Sequence, residues 1–118
     1  MIGLIPRPLH AVLDYLWGIA FTFAPEIGGF EKNEVANAYS KARGLSMIGI
    51  SMLTRYELGV IRIIPYNGHL VSDFAGALFG FAAPWLLGFD KDEKARNASL
   101  GFSAFELMAV LLSKRDRK

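Results

Sequence analysis

The chain contains no cysteine. That excludes disulfides, thiolate zinc sites, iron–sulfur clusters and cysteine nucleophiles. It has only two histidines, His10 and His69, so any imidazole chemistry must run through them. It also lacks an excess of charge: 13 Lys and Arg against 11 Asp and Glu leave a net +2. The basic residues form no stripe with interleaved aromatics, so no nucleic-acid partner is expected. There is no phosphate-binding glycine loop, dinucleotide fingerprint, HExxH or nucleophile elbow, and nothing identifies an enzyme. No basic leader precedes a small-residue cleavage site, so the first apolar run is expected to stay in the chain.

Apolar residues are abundant. They make up 53% of the chain, with aromatics at 13%, where roughly 45–50% apolar is usual. Four apolar runs stand out: Leu9–Pro25, Gly44–Thr54, Leu70–Leu87 and Ala98–Leu112. They are rich in Gly, Ala, Leu, Phe and Met and show no alternation of period two, which predicts helices. Pro6, Pro8 and Pro65 stand at the starts of the first and third helices, where proline is tolerated. Pro25 and Pro84 fall near their ends, each followed by glycine.

The chain is also written twice. Shifted by 59 residues, Ile5–Phe30 lies ungapped on Ile64–Phe89. The identities include Pro6/Pro65, His10/His69, Asp14/Asp73, Pro25/Pro84 and Gly29/Gly88. Repeat 1 covers about residues 5–57 and repeat 2 about 64–116, within a single domain spanning 1–118. A repeat decides architecture before any single residue does.

Runs of roughly 17–25 apolar residues suit a bilayer span. The first and third runs reach that length. The second is short: it must extend past Arg55 and Glu57 toward Ile64, or start early and carry Lys41 and Arg43. The expected fold is therefore all-α, a four-helix transmembrane bundle of two tandem, parallel helical hairpins, with the lipid bilayer as partner. Basic residues favour the termini side (Arg7, Arg55, Arg62, Lys114, Arg115, Arg117, Lys118), and Asp116 and Glu57 offset them little. Both termini are thus expected in the cytoplasm of a multi-pass protein of the inner or plasma membrane. Trp17, Trp85, Tyr15, Tyr39, Tyr56 and Tyr66 read as an interfacial aromatic belt. Gly76 and Gly80 form a GxxxG, and Gly18 with Thr22 and Ser99 with Ser103 form weaker small-residue pairs, all suited to close helix packing.

The segment from Asp73 through Pro84–Trp85 and Leu87–Gly88–Phe89 to Asn97 and its following apolar helix resembles the SPW repeat. That is a two-helix unit of small bacterial and archaeal membrane proteins. Both copies have Ala (Ala24, Ala83) in place of the Ser, and the first has Glu26 in place of the Trp. The resemblance implies a four-helix membrane protein and brings no reaction, cofactor or catalytic residue.

His10/Asp14 and His69/Asp73 are the candidate polar site. The i,i+4 spacing puts each pair on one helical face, and the repeat can bring both pairs to a common axis. Imidazole with carboxylate can bind zinc, iron or manganese. Two facing imidazoles can ligate haem, and a His/Asp chain can relay protons. The plain alternative is a solvated His in the first helical turn, with Asp bonding its own His or a neighbouring helix. Arg43 and Glu106 form a candidate ion pair between the second and fourth helices; otherwise Arg43 lies at an interface and Glu106 in a wet crevice or oligomer contact.

Three functions follow. The first is a non-enzymatic membrane module, without cofactor, that self-associates as a homo-oligomer or packs with a membrane-protein partner. The second is a transport or channel component for a small solute, ion or proton. The third is a metal- or haem-binding protein.

Overall fold

A computed structural model describes residues 3–54 and 56–114 of the chain. Arg55, Arg115, Asp116, Arg117 and Lys118, which enter the charge balance above, and the last residues of repeat 2 lie outside the described residues. Four helices run in chain order: α1 (Arg7–Gly28), α2 (Glu34–Met52), α3 (Tyr66–Leu86) and α4 (Glu93–Leu112). The all-α, four-helix arrangement is present.

Each helix has a local cause. Pro6 and Pro65 hold extended backbone immediately before α1 and α3, fixing the entry without removing an N–H that the first turn would use. Asn33 and Asp92 cap α2 and α4, their side chains accepting from Ala36 N and Ala95 N, which satisfies donors otherwise unpaired. Gly29 and Gly88, with φ of 78° and 82°, turn the chain out of α1 and α3. There Phe30 N and Phe89 N donate to Pro25 O and Pro84 O.

The two halves repeat these bonds in the 59-residue register. Ser40 Oγ donates to Phe21 O, and Ser99 Oγ donates to Gly80 O. The caps meet directly, with Asn33 Nδ2 donating to Asp92 Oδ2 at 3.0 Å. At the opposite end two short parallel bridges tie the halves down, Ile5 to Ser113 and Ile64 to Thr54.

Packing is closest within each hairpin, α1 on α2 and α3 on α4, and weaker between α1 and α4 and between α2 and α3. α1 and α3 are thus the diagonal pair. Small residues allow the close approaches: a Cβ on Gly44 of α2 would run into Thr22 and the Gly18 carbonyl of α1, and one on Gly80 of α3 would meet Ser103 of α4. The core between the hairpins is aromatic. Phe21 stacks on Phe102 with centroids 4.4 Å apart, and Trp17 Nε1 donates to Phe102 O at 2.9 Å.

The membrane expectation is overturned. No described helix is long and apolar enough to cross a membrane, so the multi-pass localisation with cytoplasmic termini does not stand. The reason lies inside the helices. α1 holds Arg7, His10, Asp14 and Glu26; α2 holds Glu34, Lys41 and Arg43; α3 holds His69 and Asp73; α4 holds Glu93, Lys94, Arg96 and Glu106. Over whole helices these groups, each unfavourable in hydrocarbon, dilute the apolar runs. Of the two courses open to the second helix, the structure takes the early start: α2 begins at Glu34, carries Lys41 and Arg43, and stops at Met52. The aromatic belt fails too, because Trp17, Tyr56 and Tyr66 are buried in the core. Of the aromatics assigned to the belt, Trp85 is plainly exposed.

The outer faces of α1 and α3 nonetheless remain apolar. Leu16, Phe23, Val71, Trp85 and Leu86 are each more than half exposed. They lie on two helices set diagonally in the bundle.

Candidate metal centre

His10 and His69 sit in the first turns of α1 and α3, one turn before Asp14 and Asp73. The diagonal placement of the two helices turns both pairs inward. Both histidines are wholly buried and both aspartates nearly so, so the solvated-His alternative is ruled out. The four side chains offer ligand atoms that all lie within 4.8 Å of one another.

The quartet is cross-linked in every direction. His10 Nε2 lies 3.2 Å from Asp14 Oδ1 and 3.1 Å from Asp73 Oδ2. His69 Nε2 lies 2.8 Å from Asp14 Oδ2 and 3.1 Å from Asp73 Oδ2. Asp14 thus uses one oxygen for each imidazole, and Tyr56 donates its hydroxyl to Asp14 Oδ2 at 3.2 Å. Asp73 shares one oxygen between both.

The outward nitrogens are fixed by hydroxyls. His10 Nδ1 lies 2.6 Å from Ser113 Oγ, and His69 Nδ1 lies 2.7 Å from Thr54 Oγ1. Each hydroxyl has one proton, already donated to a helix carbonyl: Ser113 to Ala109 O and Thr54 to Ile50 O. Each can therefore only accept from the imidazole, so both Nδ1 atoms carry hydrogen. Both Nε2 atoms face the carboxylates: that of His10 is hydrogen-bonded to Asp73 Oδ2, while that of His69 is within ion-pair distance of both aspartates but off hydrogen-bond alignment.

Burial alone would push the imidazoles toward neutrality. Hydrogen bonds and charge from Asp14 and Asp73 outweigh it, raising His10 to about 9 and His69 to about 10. Burial likewise opposes ionisation of Asp14, but the two histidines hold its carboxyl below the ordinary value. Tyr56 is pushed well above the usual phenol range by burial and by the Asp14 charge. At neutral pH both histidines therefore keep their protons and face an ionised Asp14.

The Arg43–Glu106 pair lies next to it. Arg43 Nη2 donates to Glu106 Oε1 at 2.6 Å, joining α2 to α4. The guanidinium stands 5.0 Å over the Trp17 ring, a cation–π arrangement. It passes over Gly76, where a Cβ would come within 2.7 Å of Arg43 Nη2. Burial pushes Glu106 up to about 8; Arg43 opposes this, while the nearby Asp73 and Asp14 add to it. A protonated Glu106 still accepts from Arg43 at Oε1 and carries its proton on Oε2. Of the packing glycines, Gly18 faces Gly44 and Ile48, Gly76 seats Arg43, and Gly80 seats Ser103.

Sequence reasoning missed Thr54, Ser113 and Tyr56. Thr54 and Ser113 hold matching positions in the 59-residue register, but their types differ and a search for identities passes over them. The signal was a shared hydroxyl, not a shared residue. A groove of about 490 Å³ runs between α1 and α4 along Leu16, Trp17 and Phe102, and none of the quartet lines it.

No family model, curated protein or solved structure matches this chain. No match supports the SPW resemblance, which rests on the residues quoted for it, Asp73, Pro84–Trp85, Leu87–Gly88–Phe89 and Asn97 with its following helix.

Proposed function

We propose that this protein binds one first-row divalent metal ion, zinc, iron(II) or manganese(II), through His10, Asp14, His69 and Asp73. The observation that carries the reading is the convergence of four ligand atoms within 4.8 Å, with both outer imidazole nitrogens committed to hydroxyls that can only accept. Imidazole and carboxylate ligands sit at about 2.0–2.2 Å from such ions, which separates neighbouring ligands by roughly 3.3–3.6 Å in a tetrahedral site. The His–Asp separations of 2.8–3.2 Å are those of directly paired groups, so the four side chains would part by a few tenths of an ångström around an ion. Ligand histidines ordinarily donate the other ring nitrogen to an oxygen that fixes the tautomer, the role Ser113 and Thr54 fill here. Two neutral imidazoles and two ligating carboxylates would offset the charge of one divalent cation.

The other expectations have less support. A haem would need a flat slot between the imidazoles, where Asp14 and Asp73 stand. Transport would need a path to histidines that are 0% exposed.

Metal analysis of the chain after purification, followed by chelation and titration with zinc(II) or cobalt(II), tests the reading. One ion per chain is expected, with binding lost in the His10→Ala/His69→Ala double variant. Equal binding by both proteins removes the site.

A second reading draws on the apolar outer faces of α1 and α3: the chain self-associates through them. Light scattering coupled to size exclusion would show a discrete oligomer, reduced to monomer by Val71→Glu with Leu86→Glu. A monomer at all concentrations would end that reading.

A further inference from the structure

Between the quartet and the Arg43–Glu106 pair lies a cavity of about 10 Å³. Asp14, Asp73 and Glu106 line it, with Trp17, Met47 and Phe105 among its apolar walls. Roughly 10–15 Å³ is what one water molecule needs, together with two or more polar partners. Glu106 is 97% buried, being 3% exposed. Its Oε1 is taken by Arg43, while Oε2 is buried without a hydrogen-bond partner among the described residues. A buried oxygen in that state calls for an unseen partner, and this cavity is the polar space that Glu106 lines.

We propose that the cavity is a fifth coordination position of the metal centre, taking one solvent molecule, water or hydroxide, that Glu106 Oε2 holds against the ion. The inference rests on the metal-binding reading above. Both ligating carboxylates border the cavity, so an oxygen placed there is beside the ion they hold. The apolar walls leave room for a single small ligand. Arg43 fixes the carboxyl from behind, pinned in turn between Trp17 and Gly76. A centre with such a position is of the open kind, able to activate its solvent or exchange it for another small ligand, unlike a closed structural site. Glu106 is a positioning residue in this scheme and not a ligand.

Cobalt(II) reports coordination number through its visible absorption, which is intense for four ligands and several-fold weaker for five. The full chain, freed of metal and loaded with cobalt(II), is compared with Glu106→Gln and Glu106→Leu. The wild type is expected to absorb weakly. Glu106→Gln, which can still hold a water, should stay weak. Glu106→Leu, which closes the cavity with a methyl-bearing chain, should absorb several-fold more strongly. An intense wild-type spectrum, unchanged in Glu106→Leu, would overturn the fifth position and leave the four-ligand centre standing. A weak spectrum in all three proteins would overturn the role of Glu106. Failure of the wild type to take up cobalt(II) would remove this inference and the metal reading together. Should Glu106→Leu not fold, Glu106→Met, of similar length and without an oxygen, is read against the same two outcomes.

Discussion

His10 Nε2 lies 3.1 Å from Asp73 Oδ2, across 63 positions of sequence. His69 returns the contact to Asp14 at 2.8 Å. Each hairpin thus supplies a base and an acid to the other, and these polar contacts join the diagonal helices beside the packing of Ala11 with Tyr66 and Leu70.

Removing one charge should therefore be costly. Asp73→Asn leaves two buried imidazoles short of a counter-charge, and breaking a buried ionic group costs about 3–5 kcal/mol. Urea unfolding of the metal-free protein should show a loss of this order. A change below about 1 kcal/mol would mean that the quartet carries little of the stability.

The pH dependence has a definite sign. Both histidines are raised above their ordinary 6.5, to about 9 and about 10. Their contribution is complete below pH 6.5 and is lost as pH climbs through 9 and 10. Glu106 keeps its proton in the fold up to about 8 against an ordinary 4.5, so its contribution also declines as pH rises between those values. Asp14, held low, contributes above 3.8 and loses this as pH falls through its depressed value. The metal-free protein should be most stable in mildly acidic solution and weaken steadily from pH 6.5 to 10. A urea midpoint that rises over that range would contradict the charged quartet.

Metal binding should release protons. Two imidazoliums must each give up the Nε2 proton before they can ligate. Calorimetric titration near pH 7 in buffers of different ionisation enthalpy should report about two protons released per ion bound. A count near zero would place the metal elsewhere.

The hydroxyls behind the histidines should tune affinity. Thr54→Val and Ser113→Ala each remove the acceptor of one Nδ1–H, and loss of such an outer partner lowers metal affinity by roughly 10–100-fold. Thr54→Ser, which keeps the hydroxyl, should bind nearly as well as the wild type. Competition titration against a chelator of known affinity measures all three.

Two glycines of α2 should respond in opposite ways to alanine. At Gly44 the new methyl meets Thr22 and the Gly18 carbonyl, and overpacking of this kind costs about 1–3 kcal/mol. At Gly49 nothing lies within 4 Å, so the gain in helix propensity, up to about 1 kcal/mol, should appear as added stability. Thermal unfolding separates them, and equal effects would mean that the α1–α2 contact is looser than drawn.

Much of this arrangement was legible in residue order. The prolines and glycines at Pro6, Pro65, Gly29 and Gly88 bracket α1 and α3, and the repeated His-xxx-Asp step places each pair on one face. The start of α2 was not, because its first two turns are polar and no apolar run announces them; the cap at Asn33 carries that information instead. Burial of Trp17, Tyr56 and Tyr66 was hidden for another reason. An aromatic near a helix end looks alike in sequence whether it faces outward or folds under a neighbouring hairpin. Length misled most: apolar runs counted in isolation pass over the ionic groups that sit in the same helices.

The hydroxyl behind His10 comes from the second repeat, Ser113, and the one behind His69 from the first, Thr54. The exchange is reciprocal, so neither repeat is self-sufficient, yet each holds one complete set of parts: a histidine, an aspartate and a hydroxyl. Two identical copies of a single hairpin, related by a twofold axis, would contain everything the quartet uses. The quartet thus has the form of two half-sites about a pseudo-twofold axis, and Arg43 and Glu106, which stand opposite Phe102 and Met47 in the register, are where that symmetry is broken.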